Sequence, residues 1–411
     1  MSKILVRSAQ DPFEVLNPEK ATRSMGGNSG NLLYAHSVHR ALSTSDAEIK
    51  AGGFTAHTLD DPTEWINKIN RKFDRFVVPM SNAFRFGFSQ QLVKLTEIVR
   101  RLDMPVTVIG VGAQAPADEP SEGGFAMGKT GSSWAPSPEE AERHNKNVFD
   151  FATAVLEKST SLGVRGAFTK RYLESLGVPG DRVDVIGCPS LYTWGPGLRV
   201  DKKFRPITRR SRISVNVDHR VAGMGAVVER NAELYPRLTS PVQDSLSART
   251  IIRGENQHPE GKFDPRTPIH TEHPLYTSKR MVYYPNPWGW IESFKEQRFA
   301  FGSRLHGNIA ALLAGTPAHL LAHDSRTVEL AEYHRIPHTR ISELETPPTA
   351  AELYWKSSFR EFNELMPVRF QVYLDFLHRN ALTTVFDEGQ SAADFDAQIV
   401  AGQQVGPVLP R

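Results

Sequence analysis

Short apolar runs of strand length alternate with longer amphipathic runs of helix length along most of this chain, and that alternation constrains its fold more than any other feature. KILVRSA is followed by NLLYAHSVHRAL, and RFVVPM by QLVKLTEIVRRL and then PVTVIGVG. SLGVRGAFTKRYLESLGVPGDRVDVIG repeats the strand, helix, strand order, its helix stopped at Gly177. Successive units of this kind lie parallel with helices covering both faces, so the first half is expected to be doubly wound α/β. A second series, WGWIESFKEQ, FAFG, NIAALLAG, AHLLAHD, RTVELAEYHR and HTRI, predicts a second α/β domain.

With 411 residues the chain exceeds one ordinary core. The basic, proline-containing stretch DKKFRPITRRSR has no apolar period and reads as the linker. The expected division is an N-terminal α/β domain over residues 1–203, a second over 204–345, and C-terminal helices and a tail over 346–411. The Gly/Pro/Ser-rich run between Gln114 and Pro138 reads as a flap, and residues 220–280 are irregular and proline-studded, with no element assigned. The helical pattern after Thr349 breaks around Pro367, and the tail shows little sign of a core.

Lysine and arginine number 49 against 46 acidic residues, a net charge of +3, which gives no reason to expect non-specific nucleic-acid binding. The single Cys188 excludes an internal disulfide and a cysteine-rich zinc site, and reads as a small buried apolar residue. The apolar run in MSKILVRSAQ is too brief for a signal-peptide core, and no apolar run is long enough to span a bilayer. The expectation is a cytoplasmic protein, with attachment to the inner face of the membrane through a lipid-linked substrate left open. HSVH, with His36 and His39, does not match a zinc motif, and no metal is expected.

FGSRLHGNIAALLAGTP concentrates the chemistry. If FGSRLH continues extended, Arg304 and His306 point to one side. Gly307 leaves room for a ligand near the backbone, and Asn308 is the expected N-cap of the helix that follows. An anion there meets a helix N-terminus and a planar guanidinium together. One unit later, Asp324 and Ser325 are alternative caps before a helix opening with Arg326, and Asp324 is as suited to capping as to a ligand role. The turn MGGNSGN has neither a P-loop nor a dinucleotide fingerprint; Asn28 and Asn31 are either ordinary turn and cap residues or partners for sugar hydroxyls.

Taken together, NSGN before a helix, VIGVGAQ, SLGVRGAFTKRYLESLGV followed by VDVIGCPSLY, and SRLHGNIAALLAGTPAHLLAHDSRTVELA resemble the polysaccharide pyruvyl transferase family. Departures from the family pattern fall at Asn31, Cys188 and Arg326. The resemblance implies two Rossmann-like domains facing a cleft, as in GT-B glycosyltransferases. It implies phosphoenolpyruvate as donor, a sugar of a surface glycan or its lipid-linked precursor as acceptor, a pyruvate ketal as product, and no cofactor or metal. On that reading His306 and Arg304 are catalytic, and Arg165, Gly307, Asn308, Asp324, Ser325 and Arg326 hold the donor. Asn28, Gly30 and Asn31 then face the acceptor. Two rival readings share the fold: a nucleotide-sugar glycosyltransferase and a catalytically silent glycan-binding protein.

Overall fold

The structure is a computed structural model, which describes residues 1–114, 136–402 and 406–411. The expected flap lies, apart from its ends, outside the described residues. In the first half, strands β1 (Ser2–Ser8), β2 (Ala47–Gly53), β3 (Arg75–Pro79) and β4 (Val106–Ile109) form a parallel sheet in the order β2-β1-β3-β4. A short parallel pair, β5 (Leu162–Val164) and β6 (Val183–Val185), continues it: Gly110 and Val111 donate to Gly163 O at 2.8 and 3.1 Å, and Arg165 N donates to Val111 O at 3.0 Å. The edge strand β2 had no sequence signal. It pairs with β1 over its full length yet no residue of it is fully buried, so AEIKAGG needs no apolar run.

The second sheet contains β7 (Ile213–Asn216), β8 (Leu238–Val242), β9 (Met281–Tyr283), β10 (Phe299–Gly302), β11 (Ala318–Ala322) and β12 (His338–Arg340). All its ladders are parallel, in the order β12-β11-β10-β7-β8-β9, the doubly wound order of dinucleotide-binding sheets with a switch point between β7 and β10. The unassigned stretch 220–280 supplies helix Met224–Leu234, β8, helix Ser245–Arg253 and the short helix Pro274–Thr277, and β9 follows directly after it. LTSPV and MVY are too short and, in the first case, too polar to stand out from periodicity alone.

Three local expectations change. Helix Leu305–Leu313 begins earlier than the sequence suggests, because Gly302 turns the chain at φ +130° against Asn216, where a Cβ would overlap the Asn216 carbonyl. Arg304 therefore holds the cap position, and Asn308 sits inside the helix with Nδ2 donating back to Gly302 O at 2.8 Å and Arg304 O at 3.2 Å. Pro367 does not break its helix, which runs Arg360–Arg379 and buries Phe362, Met366, Phe370, Tyr373 and Leu377. At ~1.5–3 kcal/mol per buried large side chain, that face outweighs the ~3 kcal/mol of an interior proline. The tail is not coreless: in helix Ala393–Gly402, Phe395 and Ile399 are buried, and the Phe395 ring packs against Phe13, His39 and Trp288.

The two sheets are bound into one body. Helix Ser29–Leu42 packs against helices Pro287–Phe294 and Leu305–Leu313 in a buried apolar cluster that includes Leu33, Val38, Ile291, Ile309 and Leu312. Chain passes between the sheets at two places that are bonded to each other: Lys202 Nζ donates to Tyr354 O and Ser357 O at 3.0 and 2.7 Å, and Asn363 bonds Val200 N and O, both at 2.9 Å. Among the described residues no helix is long and apolar enough to cross a membrane.

Candidate functional site

The carboxyl ends of both sheets open onto one cleft of about 570 Å³. Open α/β sheets bind ligands at that position. Arg304 and His306 both line it, although not by strand alternation: both stand at the first turn of a helix that starts where β10 ends. Arg165, which follows β5, and Arg326, in the first turn of helix Ser325–His334, line the same cleft. Four cationic or titratable side chains from three separate segments thus converge.

Each is held differently. Arg304 donates from Nε to Val217 O at 3.2 Å and lies 3.6 Å from Asp218 Oδ2 and 3.8 Å from Asp244 Oδ2. Asp218 is itself clamped by Arg220 through two bonds of 2.8 Å. Burial would raise the Asp218 carboxyl, but Arg304 and then Arg220 outweigh it and hold it well below the usual carboxylate range. Arg326 sits 3.0 Å from Asp324 Oδ2. Asp324 is fully buried and caps its helix, Oδ1 accepting from Thr327 N at 2.8 Å.

Arg165 is 1% exposed. Its Nε donates to Gly110 O at 3.0 Å and its guanidinium lies over the Tyr34 ring, but one terminal nitrogen, Nη2, is buried without a hydrogen-bond partner. Burial lowers its pKa. A guanidinium held this way is costly until an anion meets it.

His306 stands edge-on to Tyr34, with Cys188 Sγ 3.9 Å from its Nε2. Burial first, and then the charges of Arg165, Arg326 and Arg304, push its imidazole well below its ordinary value, so the ring is neutral in the free protein. The near-neutral titration expected of an isolated histidine does not hold here. Burial in turn raises the Cys188 thiol, which fits its reading as a buried apolar residue.

The other anticipated residues take supporting positions. A Cβ at Gly307 would overlap Asn216 Oδ1 and lie 2.6 Å from Gln243 Nε2, so this glycine lets the helix start settle on the ends of β7 and β8. Gly30 does the same for the catalytic candidate: a Cβ there would lie 2.7–2.8 Å from the His306 ring. Asn28 caps helix Ser29–Leu42 by accepting from Gly30 N at 2.8 Å, and Asn31 donates to Gly26 O at 3.0 Å while accepting from Ser81 Oγ at 3.2 Å. Both asparagines reach the cleft wall. Ser325 Oγ turns toward Ala113 O, at 3.5 Å, across the gap between the sheets.

Sequence reading did not find Asp218, Asp244, Arg220, His323 or Arg85. Asp218 and Asp244 follow β7 and β8 by two residues each, a position that would have marked them had those strands been assigned. Among the described residues His219, Asp244 and His258 are the group able to hold a metal ion, their ligand atoms lying within 4.8 Å of one another. Asp244 is already engaged there, Oδ1 accepting from Ser247 N at 2.9 Å.

Two facing Rossmann-like sheets with their strand ends on a shared cleft define a GT-B-like protein. The family model described as polysaccharide pyruvyl transferase matches residues 28–325, and the chain belongs to that family. Among solved structures, UDP-GlcNAc 2-epimerase from Neisseria meningitidis bound to UDP-GlcNAc is 13% identical, with a TM-score of 0.46 over 92% of this chain and 100% of that one. The S. aureus MnaA–UDP co-structure is 11% identical, with a TM-score of 0.42 over 95% and 100%. Anabaena Alr3699/HepE in complex with UDP and glucose is 9% identical, with a TM-score of 0.40 over 98% and 99%. No curated protein matches the sequence.

Proposed function

We propose that the cleft transfers the enolpyruvyl group of phosphoenolpyruvate to two hydroxyls of a glycan sugar, forming a pyruvate ketal and releasing phosphate. The observation that carries this reading is the convergence of Arg165, Arg304, Arg326 and His306, with one Arg165 nitrogen buried and unpartnered. Phosphoenolpyruvate presents a phosphate and a carboxylate on one small carbon frame, and planar guanidinium groups suit both. A nucleotide-sugar donor would ask in addition for a base and ribose site.

In this scheme the arginines hold the two anionic ends, and His306 supplies the proton that the methylene carbon needs. The imidazole is neutral before the donor binds; a phosphate beside it offsets the repulsion of Arg165, Arg326 and Arg304, and raises its proton affinity. Protonation at the methylene carbon leaves the adjacent carbon electron-poor, and one sugar hydroxyl adds there. Phosphate then departs, taking up one of the two hydroxyl protons, and the second hydroxyl closes the ring. Two hydroxyl hydrogens are thereby shared between the new methyl group and hydrogen phosphate. Gly30 and Cys188 keep the ring in place. We assign the reaction to the cytoplasmic side, on a glycan or its lipid-linked precursor.

The test is direct. Purified protein is incubated with phosphoenolpyruvate and oligosaccharides from the host's surface glycan, with phosphate release and product mass followed together. The expected result is acceptor-dependent phosphate release and a pyruvate ketal on the sugar. Release of nucleotide from a sugar nucleotide, without reaction of phosphoenolpyruvate, would overturn it.

A further inference from the structure

A second cavity of about 280 Å³ adjoins the cleft on the first-sheet side. Arg85 lines both, so the cavity opens into the donor site at that residue. Arg7, at the end of β1, forms its inner wall and is 6% exposed. The Arg7 guanidinium lies 4.5 Å over the Phe54 ring and donates to Phe54 O at 3.1 Å, while Nε is buried with no partner. Arg85 donates to the Asn82 carbonyl and stacks over Phe88 at 5.1 Å.

Neither arginine forms an ion pair among the described residues, and no aspartate or glutamate among them lines the cavity. Burial pushes both guanidinium groups down to about 10, and Arg326 and Arg220 add repulsion at Arg85. A buried cation beside a partly buried one, with no counter-charge, is unfavourable in the free protein. The Phe54 and Phe88 rings offer apolar faces of the kind that pack against a sugar ring.

We propose that this cavity is the acceptor subsite and that it selects a sugar carrying an anionic substituent, a phosphate or a carboxylate, which Arg7 and Arg85 neutralise. Phosphoenolpyruvate is accounted for by the arginines of the neighbouring cleft, which leaves this pair for a second anion. The identity of the pocket as an acceptor site rests on the pyruvyl-transfer reading; its preference for charge does not.

Calorimetric titration of the full chain decides the matter, using methyl glycosides, hexose 1-phosphates and hexuronates of glucose, galactose and mannose, with N-acetylglucosamine and its 1-phosphate. The anionic form of at least one sugar is expected to bind about tenfold or more tightly than its neutral form. Phosphate over uronate, or the reverse, identifies the substituent. Arg7→Gln and Arg85→Gln should each erase that preference and Arg7→Lys retain most of it, while Arg7→Gln changes phosphoenolpyruvate affinity by less than about twofold. Equal binding of neutral and charged forms, or no binding of any, overturns the proposal. So does a preference that survives Arg7→Gln in a protein with unchanged melting temperature, or a loss of phosphoenolpyruvate affinity as large as the loss of sugar affinity. Should Arg7→Gln fail to fold, Arg85→Gln and Arg7→Lys give the same decision. Failure of phosphoenolpyruvate to bind the parent protein would count against pyruvyl transfer alone, because the comparison of sugars does not involve it.

Discussion

The two walls of the cleft treat positive charge in opposite ways. On the second-sheet wall every arginine has a carboxylate within reach: Arg304 has Asp218 and Asp244, Arg220 has Asp218, and Arg326 has Asp324. On the first-sheet side Arg85 and Arg165 in the cleft and Arg7 in the adjoining cavity form no ion pair among the described residues, and Arg7 and Arg165 are almost wholly buried. The difference separates two tasks. The compensated wall is ordered by its own charges, while the uncompensated wall carries a desolvation cost that an incoming anion would relieve.

The contrast is open to a paired substitution. Arg304→Met and Arg165→Met should each weaken phosphoenolpyruvate binding by about 100-fold, as expected for buried charged contacts to an anion. Their effects on stability should diverge. Removing Arg304 deprives Asp218 and Asp244 of a shared cation and should cost about 2 kcal/mol, less than a full buried pair because Asp218 keeps Arg220. Removing Arg165 leaves no carboxylate unpaired, and the variant should be no less stable than the parent. Denaturant melts of both proteins check this; equal destabilisation would erase the distinction between the walls.

A smaller effect sharpens the role of the contact between them. Gly30→Ala forces a methyl group against the His306 ring. Turnover should fall by about tenfold while phosphoenolpyruvate affinity changes by less than about threefold, since the arginines stay in place. Steady-state rates and direct binding on the same preparation separate the two quantities.

A pH-dependent effect concerns a carboxylate that joins the walls. Glu329 is buried and accepts from Thr169 N at 3.0 Å and Thr169 Oγ1 at 2.8 Å across the two halves. Burial raises its pKa from 4.5 to about 7 despite those bonds. A carboxyl with a raised native pKa is fully accommodated below its unfolded value and becomes a burden as pH climbs through the native one, so its contribution declines between about pH 4.5 and 7. Glu329→Gln should remove that decline and be more stable than the parent at pH 8, by on the order of 1–3 kcal/mol, with little difference at pH 4. Thermal melts at the two pH values give the answer.

Much of this architecture is legible in the sequence because local periodicity and global fold agree. Strands such as RFVVPM and FAFG are buried on both faces and read as apolar runs, and the helices between them carry a single apolar face. What escaped reading has physical causes. Strand β2 lies at an edge, β8 contains Ser240 and Pro241, and the tail helix is anchored chiefly by Phe395 and Ile399. At the site, the motif around Arg304 and His306 is contiguous and visible. Asp218, Asp244, Arg7 and Arg85 are brought together only by folding, each near the end of a different strand. The cap assigned to Asn308 failed because the turn at Gly302 depends on the neighbouring strand and not on the helix sequence.

The apolar cluster that joins helix Ser29–Leu42 to helix Leu305–Leu313 has a practical consequence for engineering. Those two helices carry Gly30 and His306, so the seam between the halves runs directly beneath the His306 imidazole. Grafting the front half of a relative with another sugar preference onto this rear half would mismatch that seam and misplace the imidazole. New specificity is better sought by recutting individual side chains around Arg7 and Phe54 than by exchanging whole modules.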